Sequence, residues 1–151
     1  MKKHNIYLDV CCLNRPFDNQ SQDRVFLESE AVLTILKRCE ENTWTLTTSD
    51  VIEFELSRLT NSTKFEKVKS LCEVAINRIV SSDETKVLAR NYQEYGVKQM
   101  DSYHLALCEM NGIDALLTTD DGFIRSSEKI QLNTKVINPV IWLMEVTKNE
   151  R

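Results

Sequence analysis

The sequence predicts an α/β fold, a three-layer α/β/α sandwich with a central, mostly parallel sheet. Short β-branched and apolar runs alternate along the chain with helical patterns, the order that strands joined by helical crossovers produce. Only 3 glycines and 2 prolines occur in 151 residues, too few for a turn-rich all-β architecture. Acidic residues stand where two of the short apolar runs end, as they do in open sheets that gather ligands beyond the carboxyl ends of their strands.

In chain order, Ile6, Leu8 and Val10 alternate with Tyr7 and Asp9 and predict a first strand. A polar loop, residues 11–21, leads to a helix whose apolar face is Val25, Val32, Leu36 and Cys39. The run around Trp44 and Leu46 predicts a second strand, and Ser49 or Asp50 caps a helix over 51–59. Residues 61–78 read as helix, with Ile79 and Val80 as a brief third strand. Ser81 and Glu84 form a capping box for a helix that stops at Gly96. A further amphipathic helix spans 100–110 and ends at Asn111 and Gly112. Ala115, Leu116 and Leu117 form a buried strand that stops at Thr118, Thr119, Asp120 and Asp121. Val136 and Ile137 give a last strand, and Asn138 with Pro139 opens a closing helix through Trp142.

The length fits one domain over residues 1–151. With 19 basic and 23 acidic residues the net charge is −4, which argues against a broad basic surface for nucleic acid but leaves room for an acidic site that reaches phosphate through a metal ion. Five cysteines without a C-x-x-C pair suggest neither a disulfide framework nor a zinc knuckle. Reduced thiols, with no signal-peptide, membrane-span or lipidation pattern, point to the cytoplasm.

The acids divide into strand-end and helix candidates. Asp9 lies at the end of the first strand, where burial is costly unless the carboxylate is paired or bound to a cation; its alternative role is a loop-edge acid satisfied by backbone amides. Asp120 and Asp121 repeat the arrangement after Leu117, with a helix N-cap as the alternative. Glu53 and Glu55 lie at opposite edges of the Ile52, Leu56, Leu59 stripe, and spacing alone does not choose between them. Asp101 begins the 100–110 helix and shares a face with His104, Leu105 and Cys108; an N-terminal acid favoured by the helix dipole is the alternative. Two strand-end acids and two helix acids in one crevice make a site for hard divalent cations such as Mg²⁺ or Mn²⁺, which activate water and clamp phosphodiester oxygens.

The ordered set Ile6-Tyr7-Leu8-Asp9, Ser49-x3-Glu53, Asp101-x2-His104-Leu105-Ala106 and Leu117-Thr118-Thr119-Asp120 resembles the PIN-domain ribonucleases, in particular the short VapC-like toxins of bacterial toxin-antitoxin pairs. The likeness runs over about residues 5 to 145. It implies a metal-dependent endoribonuclease in which Asp9, Glu53, Asp101 and Asp120 hold Mg²⁺ or Mn²⁺. It selects Glu53 over Glu55 because Ser49 stands four residues earlier. It also places Asn14 and Arg15, in the loop 12–18, near the substrate, and implies homodimerisation and a cognate antitoxin protein. Many relatives carry a second aspartate just before the aromatic, where this chain has Gly122 before Phe123. The fourth acid is therefore Asp120 or Asp121, with Asp120 preferred.

Ser49 and Thr118 or Thr119 suit hydrogen bonds to the carboxylates, and His104 suits a packed, hydrogen-bonded role better than general-base catalysis. Cys72 and Arg78 match a C-x5-R spacing, but in a glycine-free stretch that cannot cradle phosphate. Adjacent Cys11 and Cys12 read as packing residues. Arg58, Lys64, Lys67 and Lys69 against Glu66 give residues 58–69 a charge of +3, a solvated helix face or a set of RNA contacts. The rival reading is a non-catalytic module of the same fold that binds RNA or protein; a docking role does not require four clustered carboxylates. A DNA-directed 5′-nuclease is a second rival, for which the chain lacks room for the usual DNA-binding additions.

Overall fold

A computed structural model of the chain describes residues 3–148. Strands β1 (Asn5–Leu8), β2 (Thr45–Ser49), β3 (Asn77–Ile79), β4 (Ala115–Leu117) and β5 (Lys135–Ile137) form one sheet in the order β3-β2-β1-β4-β5. Every neighbouring pair is parallel. Among the described residues eight α-helices flank it: α1 (Val10–Asn14), α2 (Asp23–Glu40), α3 (Asp50–Ser57), α4 (Ser62–Cys72), α5 (Asp83–Gln93), α6 (Gln99–Met110), α7 (Asp121–Ser127) and α8 (Pro139–Thr147). This is the three-layer α/β/α fold the sequence predicts. Among the described residues no helix is long and apolar enough to cross a membrane.

Central strands covered on both faces must be apolar on both faces. Ile6, Tyr7 and Leu8 of β1 and all of β4 are buried accordingly. The chain leaves β1 for β2 on one side and later reaches β4 on β1's other side, so β1 and β4 enclose the topological switch point where open sheets bind ligands. Leu8 pairs with Leu117, and the Asp9 N–H donates to the Leu117 carbonyl at 3.0 Å. The residue after β1 is thereby fixed beside the residue after β4.

Three local expectations change. The segment after β1 is not a polar loop but α1 followed by a 3-10 turn, Arg15–Phe17; Asp9 caps α1 through Val10 N–H, and Cys12 and Leu13 are buried. The helix predicted over 61–78 ends at Cys72, and β3 begins at Asn77 because that segment pairs with β2. The capping box before α5 joins Ser82 and Thr85, whose hydroxyl reaches back to the Ser82 N–H at 3.0 Å in place of the expected glutamate. At the C-terminal end, Asn138 caps α8 as expected, and Trp142 packs edge-on against Trp44 with ring centres 4.9 Å apart.

Glu28 on α2 is 1% exposed yet carries a carboxylate. Such a group is tolerated only with full pairing. It accepts from Arg15 Nε at 2.8 Å, Arg24 Nε at 3.0 Å and Asn138 Nδ2 at 2.7 Å, tying α2 to the turn after α1 and to the start of α8. Glu28→Ala leaves these donors facing a void and is expected to cost about 3 kcal/mol, read as a lowered midpoint in urea unfolding.

Candidate metal centre

Asp9 follows β1 and is 5% exposed. Its Oδ1 accepts the Val10 N–H at 2.8 Å, and its Oδ2 accepts the Thr118 hydroxyl at 2.8 Å. The Cys11 thiol lies 3.4 Å from the same Oδ2. The carboxylate is thus aimed by its own helix N-terminus and by the neighbouring strand end.

His104, on α6, is fully buried with Nε2 3.9 Å from Asp9 Oδ1. Nε2 is hydrogen-bonded to Glu55 Oε1, and Nδ1 lies 2.5 Å from the Tyr7 hydroxyl. Tyr7 OH is also 2.7 Å from Ser49 Oγ, which accepts the Ile52 N–H at 3.1 Å. With a neutral imidazole, one direction satisfies every donor: Ser49 O–H to Tyr7, Tyr7 O–H to Nδ1, and Nε2–H to Glu55. Ser49 therefore reaches the carboxylates through Tyr7 and His104, while also capping α3. Burial alone would lower the His104 pKa, but the Glu55 bond and the negative charges of Asp9, Glu55 and Asp101 outweigh it and raise it. Tyr7→Phe leaves Nδ1 without its donor; it is expected to cost about 1 kcal/mol in stability and to weaken divalent-metal affinity about tenfold by loosening Glu55, read by calorimetric titration with Mn²⁺.

Glu55, then, and not Glu53, is the α3 acid beside Asp9 and His104. The two residues are 200° apart around a helix that turns 100° per residue. Glu53 is exposed and faces β3, where its two oxygens bind Arg78 Nε and Nη2 at 2.8 and 2.7 Å; the pairing holds its pKa low. Glu55 faces α6. The apolar stripe left both glutamates at its edges, and the family spacing from Ser49 chose the one that the Arg78 pairing draws away.

Asp101 lies in the first turn of α6. Burial first, then the negative charges of Asp9 and Asp120, push its carboxyl up to about 7, with Glu55 adding to the rise and His104 opposing it. Asp120 caps α7, its Oδ1 accepting the Gly122 and Phe123 N–H groups at 2.9 and 3.2 Å, so the bland role and the site-facing role coincide. Asp121 points elsewhere: it is exposed and held by Arg24 in a two-pronged contact, both bonds 2.8 Å. Of the two candidates, Asp120 is the acid whose charge acts on Asp101.

Arg15 is engaged by Glu28 and by Asp18, the latter at 2.9 Å, so its guanidinium is committed to the fold and is not free for substrate. Asn14 Oδ1 is buried without a hydrogen-bond partner among the described residues. Cys11 and Cys12 are free thiols. Burial pushes the Cys72 thiol up to about 11, the opposite of an activated thiolate, and Arg78 is occupied by Glu53.

Asp9, Glu55 and His104 each present a ligand atom within 4.8 Å of the others. Among the described residues no lysine or arginine pairs with Asp9, Glu55, Asp101 or Asp120. A set of oxygen donors crowded enough to hold one carboxyl protonated near neutrality, without a permanent cation to balance it, fits a divalent ion. A family model described as PIN domain matches residues 6–129. No curated protein matches the chain.

Proposed function

The chain belongs to the PIN-domain family, generally metal-dependent nucleases, and on that premise we propose that it is an endoribonuclease that hydrolyses RNA phosphodiesters with Mg²⁺ or Mn²⁺. The observation that carries this reading is the convergence of Asp9 and Glu55 on His104, with Asp101 close enough to Asp9, Asp120 and Glu55 for their charges to raise its pKa, and with no lysine or arginine paired to any of the four acids among the described residues. When bound there, a divalent cation supplies an acidified water and charge neutralisation for the phosphodiester.

The protein's own part is positioning. Asp9, Glu55, Asp101 and Asp120 would hold the cation. Thr118 fixes the Asp9 carboxylate from just past the end of β4, and the Ser49, Tyr7, His104 chain fixes Glu55. Asp101, whose carboxyl is held up to about 7 by burial first and then by the charges of Asp9 and Asp120, would give up its proton to ligate a cation held there. Carboxylates are demanded by the chemistry and no nucleophilic side chain is, which suits a cluster in which the Cys11 thiol is turned toward Asp9 and Thr118.

Within this reading the chain is a single domain acting in the cytoplasm as a VapC-like toxin, a homodimer restrained by a cognate antitoxin; the support is the ordered motif set, Glu53 excepted. Purified protein is expected to cleave single-stranded RNA with Mg²⁺ or Mn²⁺, to stop with EDTA, and to spare single-stranded DNA of the same sequence. Binding of RNA without cleavage under any divalent cation would instead favour the non-catalytic module.

A further inference from the structure

Outside the acid cluster, an unassigned groove of about 610 Å³ lies between α3, α5 and α6. It borders the centre through the chain itself: Phe54 precedes Glu55 on α3, and Met100 and Tyr103 flank Asp101 on α6. Phe54 is 54% exposed, an aromatic face held in water, and the Arg58 guanidinium sits 5.7 Å from its ring centre. Lys86 of α5 lines the same groove, and neither Arg58 nor Lys86 pairs with an acid among the described residues. The one carboxylate in the lining, Asp50, is already occupied: its oxygens accept the Ser81 N–H at 3.0 Å and the Ser81 hydroxyl at 2.7 Å.

We propose that this groove is a single-stranded RNA subsite, in which an unpaired base stacks on Phe54 against the Tyr103 wall and the flanking phosphates are held by Arg58 and Lys86. The proposal deepens the nuclease reading and rests on it for the choice of RNA. Aromatic faces interleaved with cations are how single strands are held without sequence readout, since every base offers a π face and every linkage a charge. With no acid partner among the described residues, Arg58 and Lys86 complement an anionic strand where they line the groove. The basic run on α4 is a weaker candidate: Lys64 is paired with Asp18 at 3.0 Å, and neither Lys67 nor Lys69 lines the groove beside Asp101.

The test is fluorescence anisotropy of the full chain with a labelled, phosphorothioate-linked hexaribonucleotide. Phe54→Ala is expected to raise Kd about tenfold, and Phe54→Trp, which keeps the π face, to stay within about twofold of the parent. Arg58→Gln with Lys86→Gln is expected to flatten the slope of log Kd against log salt by about 1.4, two phosphate contacts at ~0.7 each. The proposal is overturned if Phe54→Ala binds like the parent and the slope is unchanged. It is overturned equally if sedimentation shows a dimer that Phe54→Ala dissolves, because a second copy would then cover the groove. Anisotropy reads binding and not cleavage: binding through the groove with no cleavage would sink the nuclease reading alone, and cleavage with a groove that does not bind would sink this one alone.

Discussion

Glu55→Gln is expected to reduce metal-dependent RNA cleavage more than ~100-fold, whereas Glu53→Gln stays within about threefold of the parent; loss of a metal's supporting groups alone commonly costs 10–100-fold, and loss of a ligand should exceed it. The contrast follows from where α3 turns each side chain. Glu55 bonds His104 beside Asp9, so its amide would remove a negative charge from the centre itself. Glu53 is half exposed in a pair with an equally exposed Arg78, and such surface pairs contribute about 0–1 kcal/mol. Cleavage rates of the two variants, measured at equal folded fraction, check the assignment; comparable losses in both would contradict it.

Asp101→Asn is expected to separate stability from function. The folded metal-free protein holds the Asp101 proton up to about pH 7, while the unfolded chain releases it near pH 4. Between those values the native state binds more protons than the unfolded state, so stability falls as pH rises through that window. His104 acts with the same sign at higher pH: its raised pKa favours the protonated folded form, and that contribution is lost as pH climbs through it. The metal-free parent should therefore melt at lower temperature at pH 8 than at pH 5. Asparagine mimics the neutral carboxyl, so the variant should melt about 3 °C above the parent at pH 8, keeping only the slope due to His104. Saturating Mn²⁺ should raise the parent by about 7 °C and the variant little, with cleavage lost in the variant. Parallel melting curves for the two proteins across pH would show that Asp101 is not crowded by its neighbours.

The fold was largely legible because its signals are local. Period-two apolarity marks β1, a seven-four-three spacing marks α2, and Asn138-Pro139 marks the start of α8. The failures are tertiary. A five-residue helix such as α1 is too short to show a period and exists because Asp9 caps it against the sheet. The end of α4 is set by the pairing of β3 with β2 in a segment whose composition favours helix. Of the proposed ligands, Asp9 stands at a strand end and Asp101 in the first turn of a helix, both positions that local pattern indicates. Glu55 is not so indicated, because the two edges of an apolar stripe are equivalent until a partner such as Arg78 breaks the symmetry from a distant strand. Asp120 and Asp121 were likewise separated by Arg24, which is 97 residues away from Asp121. His104 was read as a packed histidine, and it is packed; its bond to Glu55 is the contact that no spacing announced.

The acidity noted at the outset now has a location. Four acids of an acidic chain are proposed to bind RNA only through a cation, so net charge describes the metal-free protein. The most direct measurement is cleavage of single-stranded RNA during titration of Mn²⁺ into the metal-free parent and into Asp9→Asn. The account predicts saturable cleavage in the parent and none in Asp9→Asn at any Mn²⁺ concentration, with both proteins folded. Cleavage by Asp9→Asn at the parent's rate and with the same Mn²⁺ dependence would contradict it.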